Sequence, residues 1–80
     1  MAPTLGRIVL VTLHEGMEIN GSRVHPAIVT AVHSETMINA RVMTDGPDNP
    51  PWVTSIPRAD SESAVHFGGA VWSWPPRVEV

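Results

Sequence analysis

The chain has 80 residues, a formal net charge of -3, no cysteine and no lysine; its five basic residues are Arg7, Arg23, Arg41, Arg58 and Arg77. Such a length allows one domain, residues 1–80, burying only about 60–65% of its unfolded surface, and without cysteine it has no disulfides, cysteine zinc sites or thiol chemistry. The acidic balance disfavours duplex DNA, whose affinity for proteins comes mainly from neutralised phosphates.

The first predicted strand covers residues 6–13 (GRIVLVTL) and is apolar on both faces. Ile8 and Leu10 point one way, and Val9, Val11 and Leu13 the other. A strand buried on both sides needs two coverings. The larger Ile8 and Leu10 are assigned to the core, and the Val9 and Val11 face to a second subunit. A domain this small, without disulfides, is expected to gain support by self-association.

Residues 14–22 form a polar loop marked by Gly16 and the Asn20-Gly21 pair. A second strand is expected over 24–33, with Pro26 placing its beginning at an edge or bulge. Ser34-Glu35-Thr36 reverses the chain into a third strand over 37–44, where Ile38, Ala40 and Val42 alternate with Asn39 and Arg41. Asp45-Gly46-Pro47-Asp48-Asn49-Pro50-Pro51 is a loop on turn chemistry alone. A short fourth strand follows over 52–56, then a polar stretch over 57–63. The Phe67-Gly68-Gly69 bend leads into a last strand over 70–74. No apolar repeat of helical period runs beyond one turn. The fold expected is an all-β, five-stranded barrel of the SH3-like or OB-like kind.

In the last strand, Trp72 and Trp74 stand on one face, about 7 Å apart at the usual rise. Pro75 and Pro76 end the ladder, and Arg77 follows. That pair makes either a core or a flat aromatic shelf for a planar ligand. On the shelf reading, the ligand-binding residues are Trp52, Thr54, Ser55, Arg58, Trp72, Trp74 and Arg77. Tryptophan stacks a base, while guanidinium forks and hydroxyls hold an anion. Catalysis is not expected. Ser34, Ser55, Ser61 and Ser63 lack a nucleophile motif, and no spacing pairs Glu35 with Glu62. No metal or other cofactor is expected either. His25 and His33 share a strand face but lie about 26 Å apart when extended, and His14 with Glu15 and Glu18 lacks ligand spacing. Asp45, Asp48 and Asn49 begin like a calcium loop, but prolines follow them and no acidic residue closes the loop.

A group of small tailed-phage and prophage proteins shares these features. Its members look like GRIVLYTL at the start, followed by a P-A-x-I-V strand, a V-x-x-D-G-x-D hairpin, a W-x-T-S strand and a W-x-W-P-P-R ending. This chain resembles that group over residues 6–13, 26–29, 42–48, 52–55 and 72–77. Val11 stands where the group has Tyr, and the segment 14–23 is shorter. The resemblance implies a non-enzymatic phage accessory protein that binds a ligand or host partner as a homo-oligomer. By class analogy it includes a counter-defence sponge for a nucleotide-like signal. The alternatives are a structural or assembly protein of the particle and a weak single-stranded nucleic-acid binder. With no signal peptide and no apolar run beyond four residues, the expected location is the host cytoplasm, away from membranes.

Overall fold

The computed structural model describes residues 2–13, 21–44, 51–61 and 69–75. Five strands carry it: β1 (Ile8–Thr12), β2 (Val24–Val32), β3 (Met37–Val42), β4 (Trp52–Pro57) and β5 (Val71–Ser73). They form one antiparallel sheet in the order β4-β3-β2-β1-β5, curled into a half-barrel, with no helix among the described residues. The all-β expectation therefore holds, and each strand lies within two residues of its predicted limits at either end. Of the loops expected at 14–22 and 45–51 and the bend expected at 67–69, residues 14–20, 45–50 and 67–68 lie outside the described residues, as does the ending from Pro76.

The curl brings the two ends of the sheet together at one corner. Arg58, just past β4, bridges Trp72 of β5, and the Ala59 amide donates to the Trp72 carbonyl at 2.8 Å. The Trp72 indole N–H reaches the Thr36 carbonyl in the β2–β3 turn at 2.7 Å, and the Arg58 amide reaches the same oxygen at 2.8 Å. One carbonyl thus joins β4, β5 and the turn. A carbonyl has two lone pairs, so both donors are satisfied without leaving an orphan.

The core lies on the concave side: Val9, Val11, Leu13, Ala27, Val29, Ile38, Ala40, Val42, Ile56, Ala70 and Trp72. This reverses the face assignment for β1. Val9 and Val11 are fully buried, whereas Ile8 is 50% exposed on the convex side, with Leu10 half-buried beside it. Register supplies the physical reason. Val11 pairs with both His25 and Trp72, and Val9 pairs with Ala27. The inside of so tight a curl is narrow, and small residues alternating with one large ring fill it. Ala27, Ala40 and several valines fit around Trp72; a row of longer side chains would not.

Pro26 also departs from its expected place, since β2 is an inner strand between β1 and β3. Its carbonyl accepts from the Met43 amide at 2.8 Å, so its missing N–H falls on the β3 side, where β3 has ended at Val42. Proline is tolerated there because no ladder bond is lost. Further on, the β2–β3 register shifts between Val29 and Ala31. This bulge breaks the expected shared face of the two strand histidines: His25 is buried and donates through Nε2 to the Ser22 carbonyl at 2.9 Å, while His33 is exposed. His33 also leaves the strand, so the turn is one residue longer than predicted. The Ser34 hydroxyl accepts from the Thr36 and Met37 amides and holds it.

Candidate functional site

The seven residues predicted to bind a ligand divide into separate groups. Trp72 is fully buried and presents no face to a ligand. Its same-face neighbour Trp74 is partly buried against the core, and the two rings meet edge-on, with centroids 5.2 Å apart and an interplanar angle of 87°. The Arg7 guanidinium sits 5.3 Å from the Trp74 ring centroid, over that ring. The tryptophan pair of the last strand is therefore a core residue with a covered flank, not an open shelf. Arg58 hydrogen-bonds through Nε to Asp60, and its side chain is only 29% exposed. That ion pair is partly solvated and contributes at most about 1 kcal/mol. Arg77 lies outside the described residues.

Trp52, Thr54 and Ser55 behave differently. They lie on β4 and are exposed, with Trp52 at 52%. Trp52 pairs directly with Arg41 of β3, which pairs with Ile28 of β2, which pairs with Ile8 of β1. Register partners point to the same face, so Ile8, Ile28, Arg41 and Trp52 form one row across the convex side. Sequence reading missed this row. Its only sequence signal was the alternation along each strand, and the pairing of four strands cannot be read from alternation.

Beside the row, β4 carries a bulge where its register against β3 shifts between Ile38 and Ala40. The Asn39 side chain fills the gap. Its Oδ1 accepts from the Ser55 amide at 2.9 Å, the Thr54 hydroxyl at 3.0 Å and His33 Nε2 at 2.9 Å. Three donors on one atom fix it as the oxygen and require Nε2 of His33 to carry a proton. Ser55 has φ 56°, in the left-handed region that a non-glycine residue adopts at a cost. Asn39 stands in for the ladder bond that the bulge removes.

Along β1 and β2 the convex side carries Ile8, Leu10, Val24 and Ile28, with Thr12 beside Val24. Arg41, Trp52 and the Asn39-held bulge lie along β3 and β4. The carboxylates in the described residues are Glu35 in the β2–β3 turn and Asp60 after β4, outside the strands that carry the row. Among the described residues, this row sets an arginine and a tryptophan beside two isoleucines. Among the described residues, no group of three or more histidine or acidic side chains is arranged to hold a metal, and no helix is long and apolar enough to cross a membrane. Comparison of the chain with family models, curated proteins and solved structures finds no match.

Proposed function

We propose that this chain is a non-enzymatic docking protein, a phage accessory or assembly component, that acts through the convex face of its sheet. The observation that carries the reading is the row Ile8–Ile28–Arg41–Trp52, in which a 52% exposed tryptophan is the register partner of an arginine and continues a line of aliphatic side chains. Large exposed apolar side chains that sit in register mark a contact site more strongly than the same residues scattered. We read the half-barrel as SH3-like, because β1 to β4 form a meander and β5 returns beside β1. The phage origin rests on the motif resemblance, and the proposed place of action is the host cytoplasm.

Retention of a host or particle protein on immobilised chain tests this reading. Trp52→Ser and Ile28→Glu should keep the wild-type melting temperature and lose the retained protein. Equal retention by both variants would remove the convex face from the proposal.

A second reading keeps a nucleotide-like anion as the ligand but moves it to Trp52. Arg41 is the register partner of that ring, and the Thr54 and Ser55 hydroxyls follow it on the same strand. A thermal shift with one member of a cyclic-nucleotide panel, absent in Trp52→Ser and in Arg41→Ala, would favour that reading. Single-stranded nucleic acid is the weakest alternative, since the chain's net charge is -3 and phosphate contacts supply most of that affinity.

A further inference from the structure

We infer that the outer edge of β4, from Trp52 to Thr54, takes up a short uncharged extended peptide of another protein as an added strand. This goes beyond the convex-face contact, because backbone groups carry it. Register sets their direction. The Val42 amide donates to the Pro51 carbonyl at 2.8 Å, so these two residues form a hydrogen-bonded pair. Bonded and non-bonded pairs alternate along an antiparallel ladder, which makes Arg41 and Trp52 a non-bonded pair and Ala40 and Val53 a bonded one. The Trp52 amide and carbonyl therefore point away from β3. Val53 turns its own groups toward β3, and the Thr54 amide points outward again. β4 is the last strand at this side of the sheet among the described residues, and Trp52 and Thr54 are both exposed.

The rest of that edge is closed. The Ser55 amide turns back to Asn39 Oδ1 at 2.9 Å. Further on, Arg58 bridges Trp72, and the Ala59 amide donates to the Trp72 carbonyl. Pro51 stands before the opening and has no amide hydrogen. Edge strands are commonly guarded by charged side chains, prolines or bulges. Here the proline and the bulge only shorten the edge, and no side chain of β4 is charged. Two outward amides and the Trp52 carbonyl remain, and another extended backbone satisfies them in register. A bulge bends its strand and increases the local twist. A flexible segment follows that twist over so short a length, whereas the β4 edge of a second copy, rigid and carrying the same bulge, does not.

The side chains of β4 set the composition of the segment. Trp52 stands on the convex side, where aromatic and β-branched residues make the favoured cross-strand neighbours. Val53 faces the other way and packs against the core while only half-buried, so a peptide residue opposite it covers apolar surface. Thr54 pairs well with another threonine. The fitting sequence is β-branched at successive positions and carries no charge.

The probe is an acetylated and amidated Thr-Val-Thr-Val-Thr peptide, titrated into the isotope-labelled chain up to about 1 mM, a range suited to so few bonds. The Trp52 and Thr54 amide resonances should shift and gain protection from hydrogen exchange. The Val53 amide, already bonded to β3, should gain none. The same peptide methylated on its backbone nitrogens should bind about tenfold more weakly or not at all. Ile28→Glu, which disrupts the convex-face contact, should leave the peptide titration unchanged, so the two readings fail separately. Absence of shifts at Trp52 and Thr54 at the highest concentration would overturn the inference. Equal binding of the methylated peptide, or loss of binding in Ile28→Glu, would overturn it as well.

Discussion

Two tryptophans of similar chemistry are expected to respond oppositely to removal, and the contrast tests the placement of the core. Trp72 is fully buried and donates its indole N–H to the Thr36 carbonyl at the corner where the sheet closes. Truncation to alanine leaves a cavity among Val11, Ile56 and their neighbours, and such changes cost about 3–5 kcal/mol. A domain of this length has a total stability of about 4–12 kcal/mol. Trp72→Ala should therefore fold weakly or not at all. Trp72→Phe separates the two contributions. The Thr36 carbonyl keeps its bond from the Arg58 amide, so no orphan acceptor results. The loss is then one neutral hydrogen bond, about 0.5–1.5 kcal/mol, plus a reduced ring worth about 1 kcal/mol. A total near 2 kcal/mol corresponds to a fall of roughly 8–16 °C in melting temperature for a domain of this size. Trp52→Ser, on the convex face, should change stability by no more than about 0.5 kcal/mol. Circular dichroism melts of the three variants decide the matter. Equal small losses for Trp72→Ala and Trp52→Ser would refute the assignment of the last strand to the core.

Other substitutions test the bulge and the direction of β1. Asn39→Ala removes the acceptor of the Ser55 amide and the Thr54 hydroxyl, and should destabilise by about 1–2 kcal/mol in chemical denaturation. Ser55→Gly relieves the left-handed backbone at φ 56°, and should stabilise by about 0.5–1 kcal/mol; a loss on this change would mean that the hydroxyl, not the conformation, matters there. Val11→Glu places a carboxylate in the closed core and should yield unfolded or aggregated chain, not the folded monomer expected if Val11 were at an interface. A well-dispersed amide spectrum for Val11→Glu would contradict that placement.

Local chemistry determined much of this protein. β-branched runs, the turn residues at Ser34 to Thr36 and the missing helical period were enough to place five strands, because each signal acts over a few residues. Alternation also showed that Ile8 and Leu10 oppose Val9, Val11 and Leu13. Which of the two sets faces inward was decided only by tertiary structure. The curl and the pairing of β1 with β5 put Trp72 against Val11, and the narrow concave side then took the smaller residues. The same limit applied to the site. The Trp72 and Trp74 pair was legible as a same-face pair, but its burial depends on the Thr36 carbonyl, 36 residues away in sequence. The Asn39 bulge and the row from Ile8 to Trp52 were invisible for the same reason. Each joins residues from separate strands, and a linear pattern records the face of a residue within its own strand but not the neighbour that the register sets beside it.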